Sequence, residues 1–105
     1  MALCNEGSYS NAEIFSHAYQ SLGIGKLVGV PTNGSVISTG GRQLMDGSFV
    51  RLPFRAWYTK ATDKNQELGP AIPDILVENA PDWIATGEDI QLKIAVETLL
   101  KELGR

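Results

Sequence analysis

The sequence predicts a small α/β protein with a short mixed sheet, and three observations carry that expectation. The apolar run Met1-Ala2-Leu3-Cys4, a helical pattern from Ser10, and the run Lys26-Leu27-Val28-Gly29-Val30 give strand, helix, strand, the unit in which a crossover helix joins two parallel strands. Asp46-Gly47 lies between short apolar stretches and signals a two-residue hairpin turn, which adds antiparallel pairing. An apolar stripe of Leu92, Ala95, Leu99 and Leu103 adds a C-terminal helix.

The elements follow in order. The first strand breaks at Asn5-Glu6-Gly7. In the first helix Ile14 and Ala18 stand four apart, and Phe15, Tyr19 and Leu22 form a second apolar row; Gly23 and Gly25 end it. The strand at 26–30 is closed by Pro31 and Asn33-Gly34. Val36-Ile37-Ser38 and Gln43-Leu44-Met45 are short strand candidates on either side of Gly40-Gly41. Over 48–58 the side chains alternate, with Val50, Leu52, Phe54, Ala56 and Tyr58 on one face and Phe49, Arg51, Arg55 and Trp57 on the other. Pro53 places this strand at an edge or a bulge. Residues 59–69 are polar and read as an exposed loop, before a last short strand at Ile75-Leu76-Val77 and a helical turn at Asp82-Trp83-Ile84. Thr86-Gly87-Glu88-Asp89 has the form of a capping box that opens the final helix, with Lys101 near its negative end.

The 105 residues suffice for one domain. A 43% apolar content with 20% charged residues is that of a folding globular chain. The net charge is −3 and no basic run is present, so a nucleic-acid partner is not expected. No apolar stretch reaches the roughly 20 residues of a membrane span. Cys4 has no partner for a disulfide, His17 alone builds no metal site, and no glycine-rich phosphate loop is present, so no cofactor or metal is expected.

Ser10 stands where a turn meets a helix. A hydroxyl there sits at the positive end of the helix dipole beside unpaired amides, a position suited to a nucleophile and its oxyanion. The same Ser10-x-x-Glu13 spacing fits a capping box, the commoner role of such a serine. A nucleophilic serine needs a base within hydrogen-bond reach, and His17 lies two turns away, about 10 Å along the helix, which makes it a surface or interface residue. Arg51 and Arg55 share a strand face that suits a carboxylate, although paired strand arginines are commonly just solvated.

Two segments carry a family resemblance. Asn5-Glu6-Gly7-Ser8-Tyr9-Ser10-Asn11-Ala12-Glu13-Ile14-Phe15 and Leu22-Gly23-Ile24-Gly25-Lys26-Leu27-Val28-Gly29-Val30-Pro31-Thr32-Asn33-Gly34 resemble the nucleophile helix and following strand of the S41 serine peptidases. That family comprises the C-terminal processing (tail-specific) proteases and the tricorn core proteases. The resemblance continues through Leu44-Met45-Asp46-Gly47-Ser48, the segment from Glu67 to Asp74, and the helix after Asp89.

It implies a crotonase-like or Clp-protease-like α/β fold, with residues 1–105 as the C-terminal portion of a catalytic domain. The earlier strands, a PDZ-like domain and the second oxyanion donor would then precede Met1. It implies proteolysis by acyl transfer, with Ser10 as nucleophile, the backbone N–H of Asn11 at the oxyanion, and Glu67, seven residues before Asp74, orienting the base system. Ser35 occupies the position of the processing-branch lysine, which points to the tricorn branch and its histidine base from an earlier part of the chain. This segment alone is accordingly expected to be inactive. Peptides or unfolded proteins are the implied substrates, and self-association is expected because the first strand leaves sheet edge unpaired. The alternative is a non-catalytic peptide-binding or assembly module of the same fold, in which Ser10 is only a cap.

Overall fold

The computed structural model describes residues 1–104. Its centre is a three-stranded parallel sheet of β1 (Ala2–Cys4), β2 (Leu27–Gly29) and β7 (Ile75–Leu76), in the order β1-β2-β7. Ala2 pairs with Leu27 and Cys4 with Gly29 on one side, and Val28 with Ile75 on the other. Leu27 and Val28 point to opposite faces and both are fully buried, as a parallel strand covered on both sides requires. The helix α1 (Asn11–Ser21) lies between β1 and β2 in the chain and packs on β2; α3 (Ile90–Glu102) lies against β1 and β2. The core is small: Cys4, Leu27, Val28, Val36, Ala71 and Ala95, with Ala2 and Tyr19 packed at its margin.

Gly29 ends β2 with φ 136°, and a Cβ there would stand 1.9 Å from the Cys4 carbonyl oxygen, so the close approach of β1 and β2 at this point admits only glycine. Cys4 is buried, and its thiol donates to the Val30 carbonyl at 3.4 Å. Burial, and then the nearby Asp74 charge, push that thiol's pKa up, so it stays protonated and inert.

The α1 surface departs from the pattern read in its sequence. Its buried residues are Glu13 and Ser16, whereas Phe15 and Leu22 are exposed. Of the second apolar row only Tyr19 packs at the core margin, and Glu13 is buried instead because it meets loop backbone groups, which call for a polar partner.

The middle of the chain is organised differently from the expected short strands. The hairpin is β3 (Ser38–Gln43) with β4 (Phe49–Arg55), and Gly40-Gly41 lies inside β3 rather than between two strands. The turn spans 44–48 instead of two residues: Leu44 N–H donates to Ser48 O and Gly47 N–H to Leu44 O. A register irregularity pairs Ser38 with Arg55 but Thr39 with Pro53, so the bulge falls beside the proline. Every residue of β4 is exposed. The expected apolar face is not buried, because the β3–β4 pair rests mainly on itself.

Strand β4 stops at Arg55, and Tyr58–Thr59 form β5, which pairs with β6 (Lys64–Asn65) in a second small hairpin within what reads as a loop.

A short helix α2 (Trp83–Thr86) precedes α3, and the cap of α3 is Asp89 rather than the box beginning at Thr86. Thr86 closes α2, Gly87 turns the chain with φ 75°, and the Asp89 side chain accepts from the Leu92 N–H at 2.9 Å and from Asn79 Nδ2 at 3.0 Å. Of the α3 stripe only Ala95 is buried, together with Gln91, whose Nε2 donates to the Val77 carbonyl.

The Leu92 N–H, and then the Asn79 amide, hold the Asp89 carboxyl below its ordinary pKa. A group lowered on folding stabilises above its unfolded pKa and loses that contribution as pH falls through the folded one. Protection of the Leu92 amide, its exchange rate taken relative to the intrinsic rate at each pH, is therefore expected to fall as acid protonates the Asp89 carboxylate. Asp89→Asn, an equally good cap that does not titrate, should remove that dependence while keeping the helix. An unchanged profile in that variant would place its origin elsewhere.

Candidate active site

Ser10 occupies the N-cap position of α1 with φ 56° and ψ −118°, a conformation that glycine adopts readily and other residues only under constraint. Its side chain caps nothing. The capping-box reading is thereby corrected: Glu13 does not reach back to Ser10 but turns inward. The first-turn amides of Glu13 and Ile14 go to the Ser10 carbonyl, at 3.0 and 3.1 Å, and that of Ala12 to Tyr9 O. Among the described residues, neither the Ser10 hydroxyl nor the Asn11 N–H takes part in a hydrogen bond. A hydroxyl and an adjacent unpaired amide thus stand together at the positive end of an 11-residue helix.

The constraint on Ser10 comes from the segment 32–37. Ser10 N–H donates to the Ser35 carbonyl at 2.9 Å, and Ser8 O accepts from Asn33 N–H at 3.0 Å. That segment is itself held by Glu13, which is completely buried. One Glu13 oxygen accepts from Thr32 Oγ1 at 2.7 Å and Gly34 N–H at 2.6 Å; the other accepts from Ser35 N–H at 2.6 Å. Gly34 takes φ 87° to present its N–H in this way. Thr32 Oγ1 also accepts from Ala71 N–H at 2.8 Å, which ties in the loop before β7. Glu13 is a residue whose role sequence reasoning missed. The signal was present: Glu13, His17 and Gln20 recur at helical spacing, a polar strip that looks solvated and instead bonds loop backbone.

Glu67 is brought to the same segment. Its Oε2 accepts from the N–H groups of Val36 and Ile37, each at 2.7 Å, so Ser10 and Glu67 hold consecutive residues of one strip of backbone. Ser35 spends its hydroxyl on Asn33 Oδ1. His17 is half-buried, and its Nε2 bonds the Gly69 carbonyl at 3.0 Å, far from Ser10. Arg51 donates to Thr39 Oγ1 and Arg55 lies over the Phe54 ring at 5.5 Å, so these two arginines are occupied within the hairpin. Among the described residues no group of His, Cys, Asp and Glu has the arrangement of a metal site. No helix among the described residues is long and apolar enough to cross a membrane.

The profile of Peptidase family S41 matches residues 1–77. The chain is 36% identical over 105 residues to the tricorn protease of Thermoplasma acidophilum, an alignment covering 98% of this chain and 10% of that protein. It is also 36% identical over 104 residues to tricorn protease homolog 1 of Streptomyces coelicolor, again covering 98% of this chain and 10% of the relative. A crystal structure of the tricorn protease superimposes on 98% of this chain with a TM-score of 0.89 at 33% identity, using 10% of that chain. The present chain therefore spans about a tenth of the length of the relatives it matches.

Proposed function

Because the chain belongs to peptidase family S41, we propose that it is the C-terminal portion of a crotonase-like or Clp-like catalytic domain and supplies the nucleophile, Ser10, of a serine peptidase. The observation that carries this reading is the Ser10 backbone. A non-glycine residue held at φ 56°, with its hydroxyl unused and the next amide unpaired, carries a backbone cost of the kind that clusters at active sites.

In the proposed reaction Ser10 Oγ attacks a peptide carbonyl carbon and its proton passes to a general base. The Asn11 N–H donates to the oxyanion of the tetrahedral intermediate. Collapse breaks the C–N bond, the proton goes to the leaving amine, and water then releases the acyl group from Ser10. Glu67 fixes the strip 35–37 beside the nucleophile and orients the base system. His17 is committed to Gly69, so the base is a residue from elsewhere in the complete protein. The segment alone is proposed to be inactive, and peptides or unfolded proteins are the proposed substrates.

Labelling by a fluorophosphonate tests this reading. Such a probe reacts only with a serine whose hydroxyl is activated, so the complete protein is expected to carry the label on Ser10 and the isolated 105-residue chain to stay unlabelled. A complete protein that hydrolyses peptides yet takes no label at Ser10 would contradict the assignment. One that neither hydrolyses nor labels favours the non-catalytic module, the reading motivated by position 35 carrying no lysine together with His17 not matching the family histidine.

A further inference from the structure

We propose that His17 is a positioning residue for Glu67: by donating to the Gly69 carbonyl it fixes the loop 66–69 against α1, and so sets where Glu67 stands relative to Ser10. The consequence for catalysis rests on the peptidase reading; the mooring itself does not.

The loop does not hold its shape by its own packing. Gln66 is buried, its Nε2 donates to Thr59 Oγ1 at 3.2 Å, and its Oε1 has no partner among the described residues. Either orientation of that amide leaves one end unsatisfied, which disfavours burial. Leu68 takes φ 59° with its side chain exposed, a left-handed conformation that leucine does not choose. Glu67 lies between these two residues.

External tethers compensate. Leu68 N–H donates to Gly34 O at 2.8 Å, and His17 Nε2 meets Gly69 O at 3.0 Å. A carbonyl only accepts, so the hydrogen is on Nε2. His17 is the side chain through which the rigid helix grips this loop. Glu13 stands one turn earlier on the same strip of α1 and grips the other loop through Thr32, Gly34 and Ser35. The helix that begins at Ser10 therefore carries two clamps in register. One fixes the segment that holds the Ser10 N–H, and the other fixes the loop whose Glu67 holds the Val36 and Ile37 amides.

The test is amide exchange in the complete protein, without substrate, comparing wild type with His17→Leu and His17→Gln. Leucine fills the space without a donor; glutamine offers an Nε2 donor at similar reach. His17→Leu is expected to speed exchange at Val36 and Ile37 at least tenfold while leaving Val28 unchanged, and His17→Gln to restore most of the protection. With a peptide substrate, His17→Leu is expected to lower kcat about tenfold with KM nearly constant, again rescued by glutamine. Unchanged exchange at Val36 and Ile37, an equal rise at Val28, or no rescue by glutamine overturns the proposal. Failure of the peptidase reading shows separately, as hydrolysis that survives Ser10→Ala, and leaves the exchange result to decide the positioning. If the leucine variant fails to fold, His17→Asn, whose amide is too short to reach Gly69, takes its place under the same criteria.

Discussion

Glu13→Ala is expected to destabilise the protein by about 3–5 kcal/mol, read from denaturant unfolding, because it strands two buried donors and a third, part-buried one around a fully buried side chain. Those donors are Thr32 Oγ1 and the N–H groups of Gly34 and Ser35, and the removed side chain leaves a void beside them that the loop cannot fill without moving. The damage should be directional. Once Ser35 is released its carbonyl no longer positions the Ser10 N–H, so fluorophosphonate labelling of the complete protein should fall along with stability. Glu13→Gln should lie between, since one oxygen still accepts while its amide nitrogen faces a donor. A loss of less than about 1 kcal/mol for the alanine variant would mean that the loop finds other partners, and the clamp would lose its assigned role.

Ser10→Ala is expected to lower hydrolysis by the complete protein by about four orders of magnitude or more, without unfolding it. The alanine keeps the Cβ and therefore the same backbone cost, so the unfolding free energy should be nearly unchanged, while the attacking oxygen is gone. Ser10→Gly separates the two properties further. Glycine relaxes the φ of 56° and should gain about 1 kcal/mol of stability while being equally inactive. A serine kept only as a helix cap would behave in the opposite way, losing stability on replacement by alanine and leaving activity intact. Substantial hydrolysis by Ser10→Ala would remove Ser10 as the nucleophile.

Punctuation made the first third of the chain legible. Asn5-Glu6-Gly7, Gly23-Ile24-Gly25 and Pro31 mark the limits of β1, α1 and β2 closely, because turn chemistry is local. The faces were not legible in the same way. Apolar periodicity assumes that a helix buries apolar side chains, and α1 instead buries Ser16 and Glu13, the latter against loop backbone. Nor does alternation over 49–55 reveal whether the hairpin meets another layer; here all of β4 is exposed. In the proposed site, the place of Ser10 at the start of α1 was legible from the turn before it and the helical pattern after it. The inward turn of Glu13 was not, since an acid three residues after a serine fits a cap equally well. Nor was the grip of Glu67 on Val36 and Ile37, which joins residues some thirty positions apart.

The order of strands in the sheet has a kinetic consequence. Strand β2 meets β1 across the separation from Ala2 to Leu27 and meets β7 across the longer one from Val28 to Ile75. Closing a loop costs only about 0.6 kcal/mol more for each doubling of length, so β7 is not excluded thermodynamically; it is merely late. During synthesis, at about 5–20 residues per second, the β1–α1–β2 unit is complete for seconds before Ile75 exists. Through that interval the outer edge of β2 is open and Thr32 Oγ1 has yet to receive Ala71 N–H. The nascent chain is thus expected to be most vulnerable to mispairing while residues 30–74 emerge, and β7 acts as the latch that ends that window.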